Sequence, residues 1–207
     1  MMEPKIKRTW DQDLNDENIH SKIKNAKITQ AKILKENTVE EVNIEESIFE
    51  NISFGKLNAA EVTIKDTLFS ECDFTNFNFT KAYLERVQFK NCKMIGADFA
   101  NGCLKNVSFH NCTFKYANFN EATLTSVSFN KSIGQESSFM ACNFTKVEFL
   151  YTDISKTDFL DTNLANIDFT TSNIDNIRFS EYALRGSLLT REQCAIFANI
   201  FGVKVLE

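Results

Sequence analysis

Large apolar side chains recur at every fifth residue from Ile44 to Leu189, and few folds can use that spacing. The series runs Ile44, Phe49, Phe54, Ala59, Ile64, Phe69, Phe74, Phe79, Leu84, and onward through Phe179, Leu184 and Leu189. Of its 30 positions, 28 are large and apolar; the exceptions are Ala59 and Gly134. Seventeen of the 20 Phe share this one phase. A period of five fits neither the 3.6-residue turn of an α-helix nor the two-residue alternation of a flat strand. It fits a chain that runs a short extended stretch with side chains inward and then turns a corner. Two residues before each large residue stands a second, mostly small one, among them Cys72, Ala82, Val87, Cys92, Ala97, Cys112, Ser137, Cys142 and Thr157. A spacing of two puts both on one face of an extended segment. Asp or Asn recurs between them, as in Ala97-Asp98-Phe99 and Thr162-Asn163-Leu164.

The number of corners is legible too. Positions 44, 64, 84, 104, 124, 144, 164 and 184 hold Ile, Ile, Leu, Leu, Leu, Phe, Leu and Leu, whereas 49 through 169 in steps of 20 are all Phe. Residue type therefore repeats every four pentapeptides, as it does when a square coil stacks on itself. Phe is the largest apolar side chain without a polar atom to satisfy, which suits a narrow, dry interior. The predicted core includes Phe69, Phe89, Phe109, Phe129 and Phe149 in one column and Leu84, Leu104, Leu124 and Leu164 in another. With coils spaced like neighbouring strands, about eight of them make a rod roughly 40 Å long.

This pattern of a small residue, Asp or Asn, Leu or Phe, and two variable residues resembles the pentapeptide-repeat family over residues 42–189. The resemblance implies an all-β fold, a right-handed quadrilateral β-helix solenoid. Weaker repeats at Ala26-Lys27-Ile28 and Ala31-Lys32-Ile33 extend it back to about residue 21. One extra residue before Val39 shifts the phase and predicts an outward bulge near Lys35 to Thr38. Asn130 to Gln135 departs from the pattern, with Gly134 at a core position, and predicts a distorted coil. The chain thus divides into a polar N-terminal segment at 1–20, a solenoid at 21–189 and a cap at 190–207. Trp10 is expected to anchor the N-terminal segment on the first coil, with the rest of that segment poorly ordered.

The last coil of a solenoid exposes backbone and apolar side chains, so it needs a cap. Thr190 with Gln193 forms the sequence signature of a capping box, a helix is predicted from Arg191 to Phe201, and Gly202 stops it. Ile196, Phe197, Ile200 and Phe201, with Cys194 and Ala198, span an arc of about 200°, where one packed surface needs about 100°. Two readings stand: a well-buried cap, or a cap that also meets a second copy through Ile196, Phe197, Ile200 and Phe201. The resemblance favours the second, because family members that bind topoisomerases pair through their C-terminal ends; a homodimer is expected. Val203 to Leu206 predicts a short terminal strand.

Catalysis needs polar groups converging on a concave pocket, and a square rod filled with Phe has no place for one. The reading is a non-enzymatic interaction or scaffold protein without a cofactor. Cys72, Cys92 and Cys112 fall one coil apart, with His110 nearby in sequence. They form either a ladder of buried thiols or a metal or disulfide site. Tetrahedral ligation needs four convergent ligands, and inward placement between Phe layers favours the ladder. Cys103, between two inward positions, is the more accessible thiol. Unpaired Cys, no apolar leader after Met1 and no membrane-length apolar run point to the cytoplasm.

Outward residues also stack every 20 residues, and Glu45, Lys65, Glu85 and Lys105 alternate in sign down one column. Charge is zoned along the chain. Residues 40–73 carry nine acidic and two basic residues, 81–131 seven basic and three acidic, and 136–181 eight acidic and three basic. The family resemblance raises a second reading, a duplex mimic that binds DNA gyrase or topoisomerase IV and protects it from quinolones or inhibits it. A duplex shows one negative charge per about 1.7 Å, so 40 Å of it carries roughly 24. This chain has a net charge of −5 with a basic waist, which weakens the mimic reading and argues against direct nucleic-acid binding.

Overall fold

The computed structural model describes residues 2–7, 9–11, 14–15, 22–29, 31–32, 37–55, 57–200 and 202–205. The described strands are β1 (Trp10–Asp11), β2 (Leu14–Asn15), β3 (Ile23–Lys24), β4 (Ala26–Ile28), β5 (Ala31–Lys32), β6 (Asn37–Glu45), β7 (Ile48–Glu50) and β8 (Leu57–Ser70). They continue as β9 (Tyr83–Lys90), β10 (Cys103–Lys105), β11 (Ser108–His110), β12 (Thr123–Asn130), β13 (Asn143–Leu150), β14 (Asp158–Phe159) and β15 (Arg178–Phe179), and one helix, α1 (Arg191–Ile200), closes the chain.

Every described strand pairing is parallel, and from β6 onward each residue pairs with the one 20 places later. Ile44, Ile64, Leu84, Leu104, Leu124 and Phe144 align in one column and Phe49, Phe69, Phe89, Phe109, Phe129 and Phe149 in the next. Two sides of the coil carry these strands. The other two are joined by single bridges such as Asp73 to Lys93 and Asn78 to Asp98 to Asn118. The result is a β-solenoid of about seven turns with a short C-terminal helix. From β3 and β4 to β6 and β7 the offset is 21, as in Ile23 with Ile44 and Ile28 with Phe49, and one coil earlier it is 16 and 17, as in Trp10 with Ala26 and Leu14 with Ala31. The extra residue therefore lies between Ile28 and Asn37. The predicted bulge falls largely on Lys35 and Glu36, outside the described residues, while Asn37 and Thr38 are already in β6.

The corners explain the rest of the repeat. The second residue after most of the large apolar ones sits at positive φ, for example Asn76 at 56°, Lys81 at 58°, Gly96 at 66° and Asn101 at 58°. At these corners the next N–H closes a turn: Phe77 onto Phe74 O, Ala82 onto Phe79 O, Ala97 onto Met94 O and Gly102 onto Phe99 O. A positive φ at the third residue of a closed four-residue turn is the type II pattern. Asn adopts this region more readily than most residues, and it fills many of these corners, Asn51, Asn76, Asn91, Asn101, Asn106, Asn111 and Asn166 among them. The Asp or Asn before the large residue has a separate job. Its side-chain oxygen accepts the N–H two residues on, at 2.9 Å for Asp73 to Thr75, Asn78 to Thr80 and Asp98 to Ala100. Short polar side chains close such local rings well.

Inside, two sets of Phe rings stack along the axis. Centroids lie 5.0, 5.2, 5.2, 4.8 and 5.1 Å apart from Phe49 to Phe149. From Phe79 through Phe99, Phe119 and Phe139 they lie 4.4, 4.6 and 4.5 Å apart. The two sets meet edge to face, at 86° for Phe99 with Phe109 and 87° for Phe119 with Phe129. Parallel offset rings within a set and T-shaped contacts between sets are the favoured arrangements of aromatic quadrupoles. Phe69, Phe89, Phe109, Phe129, Phe149, Leu84, Leu104, Leu124 and Leu164 are all fully buried.

The coil at 130–136 is regular, contrary to the distortion its sequence predicts. Ile133 bridges Thr113 and Asp153, Lys131 and Glu136 take the usual corner φ of 51° and 57°, and Ser137 N–H closes the turn on Gly134 O. The missing side chain is supplied by the coil before. The Phe114 ring fills the space where a Gly134 Cβ would stand.

Candidate interaction surfaces

The inner column at 72, 92, 112, 132, 152 and 172 reads Cys, Cys, Cys, Ser, Thr, Ser, and all six side chains do the same thing. Each donates to the backbone carbonyl 23 residues earlier: Cys72 Sγ to Phe49 O at 3.6 Å, Cys92 to Phe69 O at 3.7 Å and Cys112 to Phe89 O at 3.4 Å. Ser132, Thr152 and Ser172 reach Phe109 O, Phe129 O and Phe149 O at 3.2, 3.0 and 3.0 Å. The thiols thus stand where hydroxyls stand in the following three coils, satisfying carbonyls that would otherwise be buried without a partner. They lie in single file. Among the described residues no group of three or more His, Cys, Asp or Glu is placed to hold a metal ion. Burial pushes the Cys142 thiol up to about 12. The Cys112 thiol beside it, together with burial, does the same for Cys92, also to about 12. Cys103 and Cys194 are exposed. A thiol-reactive probe is therefore expected to modify Cys103 and Cys194 quickly in the native protein and the four buried Cys, out of its reach, only on unfolding. Fast labelling of Cys72, Cys92, Cys112 or Cys142, located by peptide mapping, would contradict the buried ladder.

On the outside, the predicted charge column forms in part. Glu45 is held by Lys22 at 2.7 Å and Lys24 at 3.3 Å from the preceding coil. Lys65 sits over the Tyr83 ring, 5.2 Å from its centroid. Glu85 contacts Arg86 and, at 4.0 Å, Lys105. The strongest pair is one the column did not include. Arg86 grips Asp66 with two parallel bonds of 2.6 and 2.7 Å, and this guanidinium holds the Asp66 carboxyl below its usual range.

At the C-terminal end the capping box forms as its residues specify. Thr190 N–H donates to Gln193 Oε1 at 2.9 Å and Gln193 N–H to Thr190 Oγ1 at 3.2 Å. Gln193 also donates its side-chain amide to Phe169 O and Ser172 O, fastening the helix to open carbonyls of the last coils. Gly202, at φ 73°, ends the helix while Val203 N–H returns to Ala198 O, the six-to-one bond of a Schellman motif. Phe197, predicted to face a partner, instead turns inward. It is 6% exposed, with its ring edge-on to Phe179 at 5.2 Å, because the last coil leaves that ring a hydrophobic seat. Ile196 is 43% exposed and faces outward. The Ile200 side chain and Phe201 lie outside the described residues. Val203 to Val205 form no strand, and both valines are exposed, as are Leu188 and Tyr182. An open depression of about 590 Å³ is lined by Tyr182 with Asp161, Asn163, Ser180, Glu181 and Arg185.

The N-terminal segment takes a course that its sequence does not suggest. Trp10 joins the first coil through its backbone, paired with Ala26 and donating to Asn25 O at 2.8 Å, and the residue is 61% exposed. Residues 2–7 then lie along a corner of the rod. Lys5 N–H donates to Asp66 Oδ1 at 2.8 Å, Glu3 meets Gln88, and Met2 N–H reaches Asn106 Oδ1 at 3.3 Å. No helix among the described residues is long and apolar enough to cross a membrane.

A comparison with curated protein sequences gives no match. Among solved structures, full-length QnrB1, described as a plasmid-mediated fluoroquinolone resistance protein, is similar at 17% identity and a TM-score of 0.37, over 94% of this chain and 100% of that one. HetL of the cyanobacterium Nostoc sp. strain PCC 7120, a pentapeptide-repeat protein involved in heterocyst differentiation regulation, is similar at 10% identity and a TM-score of 0.46, over 88% of this chain and 89% of that one. The family model for the pentapeptide repeat region matches residues 42–119 and 113–189, the same span that the five-residue period covers. The chain belongs to the pentapeptide-repeat family.

Proposed function

We propose that this protein is a cytoplasmic, non-enzymatic interaction protein that pairs with a second copy through its C-terminal end. The observation that carries this reading is the filled interior: two stacked Phe sets and a hydrogen-bonded thiol and hydroxyl column occupy the rod, so chemistry is confined to an outer surface of short, variable side chains. Recognition by such a surface depends on the partner's shape and charge. The pairing rests on exposed Leu188, Ile196, Val203 and Val205, which gather toward the C-terminal end. Exposed apolar patches with a polar rim mark protein contacts. In sedimentation at micromolar concentration the expected mass is about twice the 23.7 kDa of one chain, and Ile196→Asp should shift it to one chain without lowering the melting temperature. A wild-type mass of one chain would remove the pairing.

A second reading is favoured by one observation. The acidic zone at 136–181 adjoins the end proposed to pair, so two chains would place two acidic stretches about a common centre. That arrangement suits the basic DNA-binding saddle of a type II topoisomerase, a target of some members of the family. The basic belt at 81–131 opposes it, since like charges across an interface cost several kcal/mol. Gyrase supercoiling with increasing protein, with and without a quinolone, separates the two readings. Unchanged supercoiling and unchanged drug inhibition are expected from the first. Inhibition or rescue would establish the second.

A further inference from the structure

The N-terminal arm enters at the middle of the rod, runs back along one corner and only then begins to coil. Its contacts are few and of one kind. Asp66 and Asn106 accept the backbone N–H groups of Lys5 and Met2, and Gln88 meets the Glu3 side chain. Asp66 and Asn106 occupy equivalent corner positions two coils apart, and both take positive φ. Two coils span about 9.6 Å, and three extended residues span about 10 Å. The spacing of the corner acceptors therefore matches the three-residue rise of an extended segment such as the arm.

The acceptor at the head of this ledge is built independently of the arm. Asp66 is 9% exposed and is held in place by both bonds from Arg86. The arm is held lightly by comparison. Met2, Glu3, Lys5 and Lys7 are exposed, only Pro4 and Ile6 are half-buried against the rod, and none of the six belongs to the core cluster. Removing the arm would uncover a buried carboxylate that already points at an absent N–H.

We propose that the ledge of Asp66, Gln88 and Asn106 is a docking site for an extended peptide segment of a partner protein, and that the chain's own arm occupies it in cis. The fitting segment offers free backbone N–H groups three residues apart, as Met2 and Lys5 do. It also presents apolar residues at alternate positions between and after them, as Pro4 and Ile6 do, with an acidic residue to meet Gln88. A tethered arm acts at an effective concentration in the millimolar range, so it screens the ledge from weak ligands and yields to a segment that binds more tightly. The ledge depends neither on C-terminal pairing nor on topoisomerase binding, and either can fail without the other.

Lys5→Pro in the full-length chain removes the N–H that Asp66 accepts and alters no residue of the rod. A synthetic peptide of residues 1–8, titrated into this variant, is expected to shift the side-chain amide resonances of Gln88 and Asn106 saturably. In the wild type the same shifts should need about tenfold more peptide, because the tethered arm competes. A peptide N-methylated at residues 2 and 5 should give no shift. Adding Asn106→Ala, at a half-buried corner residue outside the core, to the Lys5→Pro chain should weaken binding severalfold. Equal titration of wild type and variant, no saturable shift in the variant, binding of the N-methylated peptide, or indifference to Asn106→Ala would each overturn the proposal.

Discussion

A chain carrying Gly134→Leu, which restores the residue type that the five-residue period calls for, is expected to be less stable than the wild type by ~1–3 kcal/mol, the usual cost of overpacking a core. The reason is the Phe114 ring. A Cβ built on Gly134 falls 1.9 Å from Phe114 Cε2 and 2.3 Å from Cζ, well inside van der Waals contact. The ring cannot swing away freely, because it is tilted against Phe129 at 5.0 Å and edge-on to Phe119 at 6.2 Å. A consensus substitution that would help at any neighbouring coil thus harms this one. The pair should be strongly coupled: Phe114→Ala empties the space that Gly134→Leu fills. The double variant is expected to be more stable than the sum of the two single effects by at least about 1 kcal/mol, as for other residues in contact. Urea titration followed by far-ultraviolet circular dichroism measures all three. Wild-type stability for Gly134→Leu alone would mean that the ring moves at no cost, and the account of this coil would be lost.

Phe119→Ala should be more damaging still, at ~3–5 kcal/mol, the range for deleting a fully buried Phe. Phe119 stacks between Phe99 and Phe139 at 4.6 and 4.5 Å and meets Phe109, Phe114 and Phe129 edge-on. Removing it breaks the stack and uncovers three ring edges at once, with coils on either side holding the backbone too rigidly to collapse. In a rod where each coil touches only its neighbours, such a lesion also weakens the coupling between the two halves. The denaturation curve is therefore expected to broaden or to split into two steps. Phe179→Ala, at the partly buried end of the same aromatic column, should cost clearly less. A loss below about 1.5 kcal/mol for Phe119→Ala, or equal losses at both sites, would show that the stacks do not carry the stability of the rod.

Much of the rod was legible because a solenoid is nearly one-dimensional. The period of 20 sets the register of Ile44 with Ile64 and of Phe49 with Phe69, the one-residue insertion appears as the 21-residue offset of the first coil, and Thr190 with Gln193 states its own hydrogen bonds. The repeated Asp or Asn was visible as a pattern but not as a cause, since its Oδ1 closes on an N–H only once the corner has formed. Which of the two variable residues turns the corner was not visible, as Lys81, Glu121, Tyr116 and Ala141 adopt the same positive φ as Asn. The corner is enforced by the coils above and below more than by local preference.

What the amino-acid order alone determined is every relation that repeats: the square coil, its register, the aromatic interior and the position of the cap. The tertiary structure decided every relation between residues that share no period. Phe114 leans into the next coil to replace the side chain of Gly134. Phe197 turns toward Phe179, and residues 2–7 lie against Asp66, Gln88 and Asn106, which follow them by about 60 to 100 places. A periodic pattern encodes contacts between equivalent positions, because stacking brings like onto like. Contacts between unlike positions depend on the space that neighbouring side chains leave, and that space exists only in the folded chain.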